Sequence, residues 1–350
     1  MKHYNIPIFI SHYGCPNACV FCNQVKINGR ETDVTIEDLK NIIDEYLKIL
    51  PKDSYKEVAF FGGTFTGISL GKQKEYLEGV KEYLDKGLVQ GIRLSTRPDY
   101  INKEVLDQLK KYNVTTIELG VQSLDEEVLK KSARYYPIEV VYEASKLIKS
   151  YGIDLGIQLM PGLPGSTFES DLETAKKVVK ISPENARVYP TLIIKDTEME
   201  RMYKRGEYEV FTLDEAIKRC RKIISLLEIN GINIIRVGLQ PSDDLREGGV
   251  AVEGAFHPAF RELVDGEIYF SFLKNIELKD KKLEVELNER LVSKVVGLKR
   301  KNMKRLENLK LSINNNIPIT KIIVNGIEYQ REDILQKELG ESYEQNSNKC

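Results

Sequence analysis

Apolar, β-branched runs alternate along this chain with stretches whose apolar residues recur at helical spacing, with a period of roughly 30 residues. Strands are predicted at 6–10, 58–61, 92–95, 116–121, 155–160 and 187–190, each followed by a helix, at 35–50, 72–86, 103–112, 138–151, 168–180 and 212–229. Thr35, Ser170 and Thr212 are the expected helix caps. Hydrophobic strands joined by helical crossovers imply an α/β fold with a parallel sheet covered on its faces, closing as a barrel or partial barrel. A seventh strand is expected at 231–239, and the hydrophilic segment 196–209 is too irregular for a core helix. The pattern breaks at 269–274, which predicts a barrel domain over 1–268, a small α/β domain over 269–337 and a disordered tail over 338–350. The small domain reads as a strand at 283–287, a basic helix at 289–309 and a strand at 321–324.

The chain has 350 residues, enough for one large core and a smaller one. Its net charge of −1 excludes global basicity, so any nucleic-acid contact needs a local patch. Such a patch lies at 294–310, where Lys294, Lys299, Arg300, Lys301, Lys304, Arg305 and Lys310 face only Glu307. No apolar run approaches the roughly 18 residues of a membrane span, so no membrane contact is expected and the chain reads as cytoplasmic. The oligomeric state is not legible in the sequence.

Five cysteines are present, and three of them, Cys15, Cys19 and Cys22, fall in a C-x3-C-x2-C spacing directly after the first strand. An odd count with no secretory leader argues for a reducing compartment and against a disulfide framework. The crowded thiols suit a soft metal. A structural zinc would need a fourth ligand, with His12 or Cys220 available, whereas three thiolates on a four-iron cluster leave one iron open to a ligand. Cys220 shares a helix face with Ile217, Ile224 and Leu227 and reads as core; Cys350 lies in the polar tail.

In parallel α/β folds, function collects at the carboxyl ends of strands. The second strand ends in Gly62-Gly63-Thr64, a turn whose backbone can approach a ligand. The third ends in Arg97-Pro98-Asp99-Tyr100, a corner capped by Asn102, and the fourth carries Glu118, Gly120 and Gln122 on one face. If that face is the barrel interior, its polar groups need partners, and a ligand would supply them. Met160-Pro161-Gly162-Leu163-Pro164-Gly165 follows the fifth strand as a turn, and a later glycine-rich loop carries Glu253 and His257, the latter a candidate catalytic group.

C-x3-C-x2-C with Phe21 just before its last cysteine resembles the radical S-adenosylmethionine (SAM) superfamily. Arg97-Pro98-Asp99-Tyr100, Glu118-Leu119-Gly120-Val121-Gln122-Ser123, Met160-Pro161-Gly162-Leu163-Pro164 and Tyr189-Pro190-Thr191-Leu192-Ile193-Ile194 are similar to the radical SAM domain of the Elongator catalytic subunit, a tRNA wobble-uridine modifier. The resemblance implies a partial (β/α)6-type TIM-like barrel with a small C-terminal α/β domain. It implies a 4Fe-4S cluster on Cys15, Cys19 and Cys22, with SAM on its open iron and a 5'-deoxyadenosyl radical as product. Phe21, Gly62, Gly63 and Thr64 would lie at SAM, Gln122 at its ribose and Arg134 at its carboxylate, with 160–165 closing over the adenine. Oxygen-independent coproporphyrinogen oxidase shares Gly120-Val121-Gln122 and Gly162-Leu163-Pro164, and its acidic cofactor positions are Ser95 and Gln158 here. Tyr189 and Lys195 would face substrate. A reducing partner such as flavodoxin or ferredoxin is implied, and tRNA is the expected substrate through the basic helix. Val295-Val296-Gly297-Leu298-Lys299-Arg300-Lys301-Asn302 is also similar to the glycine loop of KH RNA-binding modules, with Arg300 in place of the second glycine. The Elongator resemblance covers about residues 1–265, without the acetyltransferase domain, so acetyl-CoA chemistry is not expected. The competing readings are a radical SAM enzyme of tetrapyrroles or other small molecules, and an RNA-binding protein with a structural metal.

Overall fold

The computed structural model describes residues 2–10, 13–15, 19–23, 34–239, 250–280 and 282–340. Seven parallel strands form one curled, open sheet in the order β1-β2-β3-β4-β5-β6-β8, a half-barrel whose edges are β1 and β8. The strands are β1 (His3–Phe9), β2 (Tyr55–Phe61), β3 (Gly91–Thr96), β4 (Val114–Gln122), β5 (Asp154–Leu159), β6 (Asn185–Val188) and β8 (Asn233–Val237). The crossover helices are α1 (Ile36–Ile49), α2 (Leu70–Asp85), α3 (Lys103–Lys111), a short α4 (Glu126–Lys131), α5 (Glu139–Ser150), α6 (Phe168–Ile181) and α8 (Leu213–Ile229). The expected strands and helices are therefore present.

Helix starts follow side-chain chemistry. Thr35 with Asp38, Thr167 with Ser170, and Thr212 with Glu215 form capping boxes, each satisfying two backbone N–H groups. Ser170 is thus the third residue of α6 rather than its cap, because Thr167 is already extended and accepts from the Ser170 N–H at 3.1 Å.

Each strand has two chemically distinct faces. Ile6, Ile8, Phe60, Ile92, Leu94, Ile117, Leu119, Leu155 and Ile157 point outward under the helices and are at most 1% exposed, which makes that interface the core. The concave face instead carries Glu57, Arg93, Ser95, Glu118, Gln158 and Arg187, polar residues that an apolar core would not tolerate unpaired.

Past β6 the chain adds β7 (Leu192–Ile194), antiparallel to β9 (Ala251–Gly254), a ribbon at the carboxyl end of the barrel. The segment 196–209 holds no core helix but a short two-turn one, α7 (Glu198–Lys204), which was not predicted. Thr197 caps it, and Met199 alone anchors it fully in an apolar cluster, so its apolar face is too short to show a period.

Helix α9 (Phe260–Asp280) runs unbroken through residue 268, so the change of pattern falls inside a helix, not in a linker. Around it, β10 (Leu283–Leu287), β11 (Leu309–Ile313), β12 (Lys321–Val324) and β13 (Ile327–Gln330) form a second sheet in the order β11-β10-β12-β13, followed by α12 (Arg331–Leu339). The continuous basic helix expected over 294–310 is not formed. It is cut into α10 (Val292–Val296) and α11 (Lys301–Arg305) by a turn in which Gly297, Lys299 and Arg300 have φ of 75°, 51° and 60°. Asn302 enforces the break, donating from buried Nδ2 to the Gly266 and Val295 carbonyls at 2.8 and 3.2 Å. Lys310 falls on β11 instead. Of the expected tail, residues up to 339 belong to α12, and 341–350, with Cys350, lie outside the described residues.

Candidate active site

At the carboxyl end of the barrel, the cysteine loop and the glycine turn form one interlocked unit. The Thr64 N–H donates to the Tyr13 carbonyl at 2.9 Å and the Ile10 N–H to the Phe61 carbonyl at 2.8 Å. A side chain on Gly14 would strike the Thr64 carbonyl and the Ile68 nitrogen, and one on Gly67 would strike the Gly14 carbonyl, so the two loops touch backbone to backbone. Gly63 is likewise pressed against Ile10 and Tyr13. The sequence reading singled out Gly62, Gly63 and Thr64 but gave no role to Gly14 or Gly67; the only hints were that Gly14 adjoins Cys15 and that Gly67 closely follows Thr64.

Cys19 is buried, and Cys15 and Cys22 are half-buried at the barrel mouth. The Cys22 N–H donates to the Cys19 carbonyl at 3.0 Å, the Val20 N–H to Ser132 at 3.3 Å, and the Met199 N–H to Val20 at 2.8 Å. The loop is thus held from β4's side and by α7. Phe21 packs with Val20 against Ile193, Met199 and Tyr208. His12 lies outside the described residues. Cys220 is fully buried in α8, where burial pushes its thiol far up, and it serves as core. Among the described residues, no group of three Cys, His, Asp or Glu side chains is gathered about a single-ion position.

Arg134 is the buried hub of the site. It is 4% exposed and donates from Nη1 to Cys19 Sγ at 3.3 Å, from Nε to the Tyr136 hydroxyl at 3.1 Å and from Nη2 to the Gly120 carbonyl. Burial works against its charge, but Tyr136 and Cys19 outweigh that and keep the guanidinium ionised. A solvated helix-end arginine is excluded. Arg97, also 4% exposed, forks onto Asp99 at 2.9 and 2.7 Å and faces the Tyr136 ring, while its buried Nη1 has no hydrogen-bond partner among the described residues. Tyr100, whose phenol is raised chiefly by burial and by Asp99, lies within electrostatic reach of Cys15. Buried donors aimed at a thiol, and one left over, suit an anionic metal–thiolate centre with an anionic ligand beside it.

Gln122 sits where β4 bulges against β5, with φ of 69°, and its Oε1 accepts from Gln158 Nε2 at 3.3 Å. Ser95 shares the concave face beside Glu118 in register. The structure therefore brings Gln122, Gln158, Arg134 and Cys19 to one end of the barrel. Glu118 corrects the sequence reading. Its partners are protein, not ligand: Arg93 Nη1 at 2.8 Å, and Arg187 Nε and Nη2 at 2.6 and 3.0 Å. Burial opposes its charge, yet Arg187 and Arg93 prevail and hold the carboxyl below the usual carboxylate range. With Glu57, to which Arg93 donates at 3.0 Å, these residues make an ion-paired belt across the concave face. Both arginines escaped sequence reasoning, because a basic residue inside a short apolar run shows no partner until strands are in register.

The 160–165 turn is pinned, not loose. Tyr208 donates to the Gly162 carbonyl at 2.6 Å, and the Gly162 N–H donates to Asp171 at 3.2 Å. Asp171 also accepts from Arg219 at 2.8 Å, but burial outweighs both contacts and raises its carboxyl to about 6. Tyr189 follows β6, and its hydroxyl accepts from Arg187 Nη1 at 3.3 Å on the belt. Lys195 is exposed at the end of β7, near Glu200, and its carbonyl accepts from Asn23 beside the cysteines. His257 is engaged in the turn ahead of α9, its Nδ1 accepting from the Ala259 N–H at 3.0 Å.

Comparison with known proteins places this geometry. Residues 9–178 match the radical SAM superfamily, and residues 183–269 match the radical SAM C-terminal domain. An uncharacterized protein of Methanocaldococcus jannaschii is 32% identical over 228 residues, covering 61% of this chain and 68% of that protein. The tRNA uridine(34) acetyltransferase of Methanocaldococcus infernus is 29% identical over 255 residues, covering 61% of this chain and 47% of its own length. Human Elongator complex protein 3 is 31% identical over 155 residues, 43% of this chain and 28% of that protein. The chain thus spans less than half the length of either named relative. In structure, M. infernus Elp3 superposes with a TM-score of 0.61 at 23% identity over 85% of this chain and 68% of its own, which shows the shared fold. Interlocked cysteine and glycine loops, a buried arginine on the middle cysteine, and a matched sequence from one end of the half-barrel to the other lead to one assignment: the chain belongs to the radical SAM superfamily, and its radical SAM region is homologous to that of the Elongator catalytic subunits.

Proposed function

We propose that this enzyme cleaves SAM reductively at a 4Fe-4S cluster and directs the resulting radical onto RNA, with transfer RNA as the substrate. The family's cofactors are a 4Fe-4S cluster and SAM. Cys15, Cys19 and Cys22 would hold the cluster; Gly62, Gly63, Thr64, Gln122 and Arg134 would hold SAM, with Phe21, Ser95 and Gln158 around them. Bound together, these two groups supply a one-electron reduction that yields a 5'-deoxyadenosyl radical able to take hydrogen from substrate. The chain's own residues bind, orient and exclude water. Arg134 fixes the middle cysteine and offers positive charge to an adjoining carboxylate, and the interlocked glycines set the backbone N–H and C=O groups that meet a ligand. The pinned 160–165 turn would border the bound cofactor, and the belt of Glu57, Arg93, Glu118 and Arg187 orders the concave face beneath it. The observation that carries this reading is the buried guanidinium of Arg134 between Cys19 and Gly120.

Two findings support RNA. One named relative is, by name, a tRNA uridine(34) acetyltransferase. The turn at 297–300 and α11 after it hold Lys299, Arg300 and Lys304 exposed, with no acidic partner among the described residues, beside a groove of about 590 Å³ lined by Lys218, Lys301 and Arg305 together with Asp214 and Glu267, the latter paired with Lys301 and Arg305. Cations spaced along a rigid turn suit a phosphate backbone. Flavodoxin or ferredoxin is the proposed electron donor, and the cytoplasm, where thiolates stay reduced, is the proposed location. No described helix is long and apolar enough to cross a membrane. The test is anaerobic reconstitution with iron and sulfide, followed by SAM, reductant and total cellular RNA. 5'-Deoxyadenosine and a changed nucleoside in the mass spectrum are expected. A loaded, cysteine-intact enzyme that never forms 5'-deoxyadenosine overturns the SAM reading, and unchanged nucleosides overturn the RNA reading.

A further inference from the structure

We propose that Arg236, on the edge strand β8, is an anion subsite of the barrel mouth that takes a phosphate of the substrate. The proposal rests on the RNA reading above for the source of that phosphate. Charges on the concave face otherwise pair off: Glu57 with His3 and Arg93, Glu118 with Arg93 and Arg187. Arg236 stands directly opposite Arg187 in the β6–β8 register, so it shares that face, yet it has no carboxylate partner among the described residues. Its hydrogen bond to described residues runs from Nε to the Gly238 carbonyl at 3.0 Å, two residues further along the strand. That contact draws the side chain toward the carboxyl end of the strand, and no described residue accepts from Nη1 or Nη2. Among the described residues the half-buried guanidinium is held by one bond and its terminal fork is unengaged, a preorganised arrangement for an oxyanion.

Location fixes which anion it meets. β8 ends a half-barrel that does not close onto β1, so a bulky substrate need not thread a closed barrel, although α9 packs against this strand's carboxyl end through Phe260 beside Gly238. Arg134 and Gln122 stand on or after β4, three strands away, which puts the proposed SAM carboxylate on the other side of the mouth. SAM is nonetheless a second source of an anion, and the experiment separates the two.

The holoenzyme, its Arg236→Gln variant and its Arg236→Lys variant are compared for binding of unmodified tRNA transcripts at two salt concentrations, and for SAM affinity. Expected is roughly five- to tenfold weaker tRNA binding for R236Q, with a salt slope lower by about one, and partial recovery in R236K, which keeps the charge without the fork. Unchanged tRNA affinity and slope overturn the proposal. So does a loss of SAM affinity with tRNA affinity intact, which assigns Arg236 to the cofactor. If the unaltered enzyme binds no transcript, the RNA reading fails by itself, and inorganic phosphate decides the subsite. Thermal stabilisation by millimolar phosphate that disappears in R236Q upholds it, and stabilisation equal in both proteins, or absent from both, overturns it.

Discussion

Arg134 Nη1 lies 3.3 Å from Cys19 Sγ, joining a residue after β4 to the middle cysteine of a loop 115 positions earlier. The same guanidinium holds Tyr136 and the Gly120 carbonyl, so its removal strips three acceptors of one buried donor group. Arg134→Gln is expected to cost about 1–3 kcal/mol of stability and to lower 5'-deoxyadenosine formation by more than tenfold, with iron and sulfide content largely retained. Arg134→Lys restores charge but not the fork, and only part of the activity should return. Full activity in R134Q, measured on anaerobically reconstituted protein, would show that the guanidinium has no part in the chemistry.

Gly67 and Gly71 sit four residues apart and predict opposite outcomes. A Cβ on Gly67 would collide with the Gly14 carbonyl, whereas one on Gly71, inside α2, meets nothing within 4 Å. Gly67→Ala should push the two loops apart, lower the melting temperature and reduce iron loading severalfold. Gly71→Ala should raise stability by about 0.5–1 kcal/mol through helix propensity, with normal loading. Calorimetry and iron–sulfide analysis on the two proteins check both. Equal loading in G67A would show that the interlock does not shape the cysteine loop.

Much of this was legible in the sequence because the physics involved is local. Strand and helix periods, capping threonines and the crowding of three thiols need no tertiary knowledge, so β1 to β6, their helices and the cysteine loop were found near their observed bounds. What escaped needed register. Arg93 and Arg187 meet Glu118 only once β3, β4 and β6 stand side by side, so the sequence offered a ligand as the partner that two arginines provide. The basic segment failed for a different reason: charge periodicity continues through 294–310, while buried Asn302 and the left-handed turn at 297–300 break the helix. Polar residues that bond to backbone inside the core leave no mark in an amphipathic pattern.

Asp171 gives a pH dependence with a definite sign. Its carboxyl rises from an ordinary value of 3.8 to about 6 because burial outweighs Arg219 and the Gly162 N–H. A folded-state value above the unfolded one means that the proton stabilises the fold. This contribution is complete below about pH 4 and is lost as pH climbs through about 6, for a total near 3 kcal/mol. Asp171→Asn cannot titrate, so the stability difference between the parent and D171N should shrink as pH rises from about 4 to 6 and stay level above 7. Chemical denaturation at pH 4.5, 5.5, 6.5 and 7.5 measures it. A difference that grows with pH would mean that the Arg219 pairing dominates after all.

Arg300 allows fold and function to be pulled apart. Its φ of 60°, next to Lys299 at 51°, is the left-handed conformation that glycine adopts without strain, and that costs other residues about 1–2 kcal/mol. The exposed side chain has no acidic partner among the described residues, so the strain is not offset by an ion pair. Arg300→Gly should therefore relieve the backbone, and after the added chain entropy of glycine the gain should be up to about 1 kcal/mol. If the turn meets an RNA backbone, the same variant binds tRNA transcripts several-fold more weakly and with a salt slope lower by about one, as does Arg300→Gln, which keeps the strain. Comparing the two isolates charge from conformation: R300G more stable than R300Q, both equally weakened in binding. An R300G protein that is more stable and binds tRNA as tightly as its parent would remove the turn from the RNA interface and leave its strained backbone to be explained by the fold alone.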